Sequence, residues 1–192
     1  MKDKIPRKNH KVGNVLDDIV ELETDMFLRI KPLYPAQCQE HPDEFRRWRR
    51  ANYAPLSETT KRLYLEDLVA ADNAGENLVA EKYIGMAQNP PGAARAQVVG
   101  EIHSQLVEWL VEVMKRHPKI FGAKSIDYSA NYLRSELETM SSATLNSYRS
   151  DVQRAREEGR NIPAETYDHM ANQLGFNSLT DLEYGTRNVK SH

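Results

Sequence analysis

The sequence predicts an all-α fold, a single-domain array of about seven to eight helices joined by short loops. Three observations predict it. Apolar residues recur at helical spacing through most of the chain. Glycine, proline and small polar residues separate these stretches. No segment alternates β-branched and polar residues between turn signals, and we identify no internal repeat.

Helix boundaries are predicted where asparagine, serine or a first-turn proline precedes a periodic stretch, and where glycine or proline follows one. The predicted helices are 15–31, 42–54, 57–72, 74–88, 94–116, 128–140, 142–159 and 163–174, with a last short turn after Ser178. They form one domain over residues 14–185, between a flexible N-terminal arm (1–13) and a flexible C-terminal tail (186–192).

Composition excludes several classes of protein. The net charge of −2 gives no overall field for nucleic acid, and no apolar run is long enough to span a membrane. A single cysteine, Cys38, excludes an internal disulfide and a cysteine zinc cluster. The basic N-terminus lacks the apolar region of a signal peptide, so we expect a cytoplasmic protein.

Four predicted helices each place one ionisable residue on the apolar face. Glu23 lies four residues after Ile19, and Lys82 lies four after Leu78. Arg49 and His103 occupy similar positions on their own helices. Because an isolated buried charge is prohibitively costly, these groups must pair, become neutral or face a wet pocket.

Two interpretations remain open. In the first, the protein is a small-molecule enzyme or ligand-binding protein with a pocket between helices for an anionic carboxylate or phosphate. Glu23, Lys82 and His103 are then the candidate catalytic residues, and Arg49, Tyr64 and Tyr83 are the candidate substrate-binding residues. In the second, it is a non-enzymatic helical interaction protein, homodimers included, with a buried ion-pair network. A site requires an open concave pocket, whereas a structural network should be closed and fully hydrogen-bonded.

Other constellations carry less weight. The Arg46–Arg50 stretch RRWRR could bind phosphate backbones, but pairing with neighbouring acids is favoured, so no nucleic-acid partner is expected. No metal site is predicted, since a carboxylate-bridged bundle needs Glu-x-x-His pairs that the strong helices lack. Dinucleotide, P-loop and standard hydrolase motifs are absent, which leaves any cofactor unknown.

The segments LYPAQC, YLEDL and GENLVAEKYIGM resemble those of a bacterial family of small, single-domain helical proteins of unknown function. The resemblance covers most of residues 20–183 and implies a compact helical unit. It also implies that Cys38, Glu81, Lys82 and Tyr83 lie in the signature segments of the family. It carries no activity.

Overall fold

The structure, a computed structural model, describes residues 14–30, 41–86, 93–122 and 126–185. These residues form ten helices and no strand, and eight of the helices have at least seven residues. The helices are α1 (Val15–Leu28), α2 (Pro42–Tyr53), α3 (Glu58–Ala74), α4 (Leu78–Gly85), α5 (Ala93–Arg116), α6 (Pro118–Phe121), α7 (Ile126–Thr139), α8 (Ser142–Glu157), α9 (Ile162–Gln173) and α10 (Leu179–Tyr184). The all-α prediction is confirmed.

Capping side chains are present at the start of most helices, and those at Asn14, Ser57 and Ser178 were predicted. Side chains of the N-cap residues accept hydrogen bonds from first-turn backbone N–H groups at Asn14, Ser57, Asn77, Ser141, Asn161 and Ser178. Helix α3 ends at Gly75, whose φ of 79° is in the left-handed region that glycine tolerates best. The four-residue α6 was not predicted, because a single turn after Pro118 has no periodicity to detect. The predicted arm and tail and Cys38 lie outside the described residues.

The helices pack as two similar groups. In the first, which we call the first repeat, α1 packs against α2, α3 and α4. In the second repeat, α5 packs in the same order against α7, α8 and α9. Between the repeats, α2 contacts α9, α4 contacts α7, and α3 contacts α8. Exchanging the two repeats therefore reproduces the same set of contacts, as an approximate two-fold axis would.

The sequence contains the same repeat, which corrects our expectation that there is none. Residues 57–86 align without gaps with residues 141–170, and eleven positions are identical. The identical pairs are Ser57/Ser141, Thr60/Thr144, Tyr64/Tyr148, Asp67/Asp151, Ala71/Ala155, Gly75/Gly159, Asn77/Asn161, Ala80/Ala164, Glu81/Glu165, Tyr83/Tyr167 and Met86/Met170. Most of these are caps, turns and small residues, so the hydrophobic pattern alone does not reveal the repeat.

Helices α2 and α7 align at the same sequence offset as residues 57–86 and 141–170. The long helices α1 and α5 align with a spacing one residue shorter, which superimposes their buried positions. In that register Ile19 corresponds to Ile102 and Met26 to Trp109, and all four are buried. The register also pairs Glu23 with Leu106, and both of these side chains are buried.

Helices α3 and α8 cap each other at their N-termini. Asp151 of α8 accepts hydrogen bonds from Ser57 N at 3.0 Å and Thr60 Oγ1 at 2.6 Å. In the equivalent contact, Asp67 of α3 accepts from Ser141 N at 2.9 Å and Thr144 Oγ1 at 2.6 Å. A carboxylate beside a helix N-terminus satisfies free N–H groups and complements the helix dipole. These reciprocal caps fix the register of the two repeats.

The main core runs through both repeats and surrounds several buried polar side chains. A smaller cluster, formed by Val113, Phe121 and Leu179, joins α5 to α6 and α10. No helix in the described residues has the length and apolarity needed to cross a bilayer.

Candidate functional site

Seven polar side chains from five helices meet in the core, and we call them the network. They are Glu23 (α1), Arg49 and Tyr53 (α2), Tyr64 (α3), Lys82 (α4), and Tyr132 and Glu136 (α7). The helical spacing on α1, α2 and α4 places Glu23, Arg49 and Lys82 inward, and each is at most 1% exposed. The network joins the first repeat to α7 of the second.

Arg49 is the centre of the network. Its Nε donates to Glu23 Oε2 at 2.6 Å and its Nη2 donates to Glu23 Oε1 at 2.7 Å, which is a bidentate pair. Nη2 also contacts Tyr53 Oη and Glu136 Oε1, while Nη1 donates to Tyr132 Oη at 2.7 Å. Burial lowers the pKa of Arg49, but Glu136 and Glu23 outweigh it and raise the pKa well above its usual value.

Tyrosine hydroxyls complete the coordination of the carboxylates. Tyr64 Oη donates to Glu23 Oε1 at 2.8 Å, and Tyr53 Oη donates to Glu136 Oε1 at 2.8 Å. Burial raises the pKa of Tyr53 and Tyr64 well above the usual value, so both hydroxyls keep their protons and act as donors. No buried side-chain nitrogen or oxygen of the described residues lacks a hydrogen-bond partner.

Lys82 is held more loosely than Arg49. Its Nζ donates to Glu136 Oε1 at 3.3 Å and lies 3.9 Å from Glu23 Oε1. It also lies 5.3 Å from the centre of the Tyr132 ring. Burial, with repulsion from Arg49, lowers the pKa of Lys82 despite the two carboxylates nearby.

Glu136 differs from Glu23 because hydrogen bonds from described residues reach one of its two oxygens instead of both. Glu136 Oε1 accepts from Arg49, Tyr53 and Lys82, whereas Oε2 accepts no hydrogen bond from a described residue. The side chain is 8% exposed and lines a cleft beside the network. Burial raises the pKa of Glu136, but Arg49 and Lys82 lower it to about 2, so this carboxylate is ionised at neutral pH.

The cleft has a volume of about 320 Å³ and lies between α2 and α7, with walls from α5 and α9. Most of its wall is apolar or aromatic, and Glu136 is the charged side chain among its described lining residues. The aromatic lining residues are Phe45, Trp48, Tyr53, Tyr83, Tyr128, Tyr132, Tyr148 and Tyr167. Tyr83 and Tyr128, 39% and 69% exposed, mark its solvent side. The amide of Asn52, when its oxygen faces Trp48 Nε1 and Arg49 Nη1, accepts from both at 3.2 Å.

The predicted site residues fall into three places. Glu23, Arg49, Tyr64 and Lys82 come together in the network, and Tyr83 lines the cleft. His103 does not join them, because its Nε2 lies 2.8 Å from the carbonyl oxygen of Ala130 on α7. The described α5 residues that line the cleft are Leu106 and Leu110, further along the helix.

Three network residues were missed by the sequence analysis: Tyr53, Tyr132 and Glu136. A signal for Glu136 was present, since it lies three residues after Leu133 and four before Met140, on an apolar face of α7. The pairing of RRWRR with nearby acids is confirmed for three of its arginines. Arg46 pairs with Glu21, Arg49 with Glu23, and Arg50 with Asp17.

No group of three or more histidine, cysteine, aspartate or glutamate side chains in the described ranges could hold a metal ion. The two network carboxylates are instead bound by cations of the chain itself. The described residues that line the cleft offer a ligand the Glu136 carboxylate, an amide, hydroxyl groups and aromatic rings.

Residues 13–184 match the family described as "Protein of unknown function (DUF4125)". The chain belongs to this family, which confirms the resemblance to a family of small helical proteins of unknown function. No curated protein and no solved structure matches the chain significantly.

Proposed function

We propose that this member of the DUF4125 family binds a small molecule in the cleft, and that the network beside the cleft holds the binding helices in register. The observation that carries the proposal is the position of Glu136, a nearly buried carboxylate in the wall of an aromatic cavity of about 320 Å³, whose Oε2 accepts no hydrogen bond from a described residue. Ligand pockets are concave, largely apolar and supplied with a few polar groups, and the cleft fits that description.

Binding is better supported than catalysis by the groups that the cleft presents. A general acid or base works best with a pKa near the operating pH, whereas the pKa of Glu136 is lowered to about 2. The cation with a lowered pKa, Lys82, is not among the residues that line the cleft. The closed and hydrogen-bonded state of Glu23 and Arg49 supports a structural role for this pair, as in our second interpretation.

The charge of the cleft favours a ligand other than the predicted anion. Arg49, which was predicted to hold a carboxylate or phosphate, and Lys82, a candidate catalytic residue, are already paired with Glu23 and Glu136. An anionic ligand would meet the Glu136 carboxylate without a free cation from a described lining residue. We therefore assign to the cleft an apolar ligand that carries a hydrogen-bond donor.

A thermal-shift screen of the purified protein with small aromatic amines, alcohols and carboxylates tests the binding function. Thr166 lines the cleft and is 8% exposed, so Thr166→Met should fill part of the cavity and abolish the stabilisation by any hit. Thr59→Met is the matched control, because Thr59 is exposed on α3 and does not line the cleft. Equal stabilisation of both variants, or no hit in the whole screen, would contradict a binding function for the cleft.

A further inference from the structure

The cleft is the counterpart of the network in the second repeat. Each of the seven network residues has an equivalent, and every equivalent lines the cleft. The pairs are Glu23/Leu106, Arg49/Leu133, Tyr53/Leu137, Tyr64/Tyr148, Lys82/Thr166, Tyr132/Trp48 and Glu136/Asn52. The same arrangement of helices thus encloses a charged core in one repeat and an open cavity in the other.

Smaller and neutral side chains account for the difference. Lys82 corresponds to Thr166, Tyr53 to Leu137, and Phe45 to Ser129, and each second-repeat residue occupies less space. The two cations have no charged equivalent, because Leu133 and Thr166 occupy the positions of Arg49 and Lys82. The second repeat therefore lacks the side-chain cations that fill the corresponding space in the first.

The cleft nevertheless has groups that can bind a cation, namely a carboxylate and two tyrosine rings. Glu136 Oε2 accepts no hydrogen bond from a described residue, while the hydrogen bonds from Arg49 and Lys82 go to Oε1. Two tyrosines that line the cleft already contact cations in the network. The ring of Tyr53 lies 4.9 Å from the Arg49 guanidinium, and the ring of Tyr132 lies 5.3 Å from Lys82 Nζ. Carboxylates and aromatic rings together are the usual recognition set for an organic cation.

We propose that the ligand of the cleft is a protonated amine on an apolar body of aromatic size, whose ammonium group donates to Glu136 Oε2. Such a ligand would supply from outside the cation that Leu133 and Thr166 do not supply from within. The proposal deepens the proposed function and rests on it, since it specifies the ligand class of the same cleft.

Three probes of similar shape and different charge test the ligand class: phenethylamine, 2-phenylethanol and 3-phenylpropionate. Isothermal titration calorimetry at pH 7 should show the amine binding roughly tenfold or more tightly than either other probe, as a charge-assisted hydrogen bond predicts. Equal or tighter binding of the alcohol or the carboxylate would overturn the amine assignment while leaving cleft binding intact. Failure of all three probes to bind would instead count against the proposed function itself.

Two variants then locate the ammonium. Glu136→Gln should bring the affinities for amine and alcohol to within about twofold, because the carboxylate is replaced by a neutral amide. Asn52→Asp adds a carboxylate at the position equivalent to Glu136. One of its oxygens would accept from Arg49 Nη1 and Trp48 Nε1, and the other should accept from the ammonium and tighten amine binding. Circular dichroism will show whether Glu136→Gln folds. If it does not, Asn52→Asp alone tests where the ammonium binds. Unchanged amine affinity in a folded Glu136→Gln variant, or weaker amine binding in Asn52→Asp, would overturn the assignment.

Discussion

Arg49 shows how a fully buried charge is stabilised in this fold. One guanidinium serves two carboxylates and two tyrosine hydroxyls, and none of its side chain is exposed. Removing one partner of such a set leaves the others buried without compensation, which costs more than the pair itself contributes. The network therefore stabilises the fold only when all of its hydrogen-bond and ion-pair partners are present.

Arg49→Met should lower the free energy of unfolding by roughly 3–5 kcal/mol, because Glu23 and Glu136 lose their shared cation. This loss of unfolding free energy is measured by urea denaturation, followed by circular dichroism. Arg46→Met is the control from the same helix, since Arg46 is 32% exposed and its ion pairs with Glu21 and Asp43 are at the surface. We expect that change to cost under about 1 kcal/mol. Similar losses of unfolding free energy in the two variants would show that the buried pairs of Arg49 stabilise the fold no more than the surface pairs of Arg46.

Glu136 should make stability depend on pH in the acid range. Its pKa is lowered from 4.5 to about 2, so the unfolded chain takes up the proton first as pH falls. The contribution of Glu136 is fully present above about pH 4.5 and is lost toward pH 2, at a total of roughly 3 kcal/mol. The difference in unfolding free energy between wild type and Glu136→Gln should shrink by that amount between pH 6 and pH 2. A difference that stays constant with pH would contradict the lowered pKa.

The site was partly predictable at this scale. Helical spacing placed Glu23, Arg49 and Lys82 inward because a single polar residue inside an apolar stripe is visible in one helix. Their partners were not predictable in the same way, since nothing in α2 indicates that Glu136 lies opposite Arg49. His103 met the same spacing rule, yet its ring bonds to the backbone of α7. Position on a helix predicts burial and not the group that is contacted.

At the scale of elements, the reciprocal caps join the two repeats. Asp67 and Asp151 each satisfy a backbone N–H and a threonine hydroxyl at the start of the other helix. Asp67 lies ten residues after Ser57 on α3, so the two caps are about 15 Å apart. That distance is large enough for their contributions to add independently.

Asp67→Ala and Asp151→Ala should each lower the free energy of unfolding by about 1–2 kcal/mol, through the donors left unsatisfied. The loss at the more buried Asp151 should be at least as large as the loss at Asp67. The double variant should show the sum, measured in urea. Asp72→Ala, which removes an exposed ion pair with Arg29, controls for the loss of an aspartate from α3. Losses no larger than that of Asp72→Ala would contradict the capping role.

The helices themselves were predictable because caps, prolines and apolar stripes agree along most of the chain. Helix α4 is shorter than predicted, since Asn77 is its N-cap and the chain before it belongs to the end of α3. The repeat escaped detection for a physical reason. The residues that the repeats share, such as Ser57/Ser141 and Asn77/Asn161, set helix ends, whereas most of the paired core and surface residues differ.

At the scale of the molecule, the two repeats should unfold together. The core runs through both repeats, and the network takes residues from each. Each repeat also contains one tryptophan, Trp48 in the first and Trp109 in the second. Trp48→Phe and Trp109→Phe therefore give single-tryptophan proteins, in which the remaining tryptophan lies on α5 of the second repeat or at the contact of α2 with Tyr167.

In each of these proteins, the urea midpoint from fluorescence should equal the midpoint from far-ultraviolet circular dichroism. Coincidence in both variants indicates one cooperative unit, as the contacts between α2 and α9 and between α4 and α7 predict. A fluorescence transition that precedes the loss of helix in one variant would show that its repeat unfolds separately.

The approximate two-fold relation of the repeats also affects which substitutions the chain can accept. In a symmetric homodimer of a single repeat, one mutation changes both copies of a site at once. A chain that carries both copies in tandem has no such constraint, because each position is encoded separately. Leu133 can thus stand at the position equivalent to Arg49, so that one copy of the site holds the ion pairs and the other forms the cleft. A substitution at Leu133 or Thr166 therefore alters the cleft without changing the arginine or the lysine that the first repeat places at the equivalent positions.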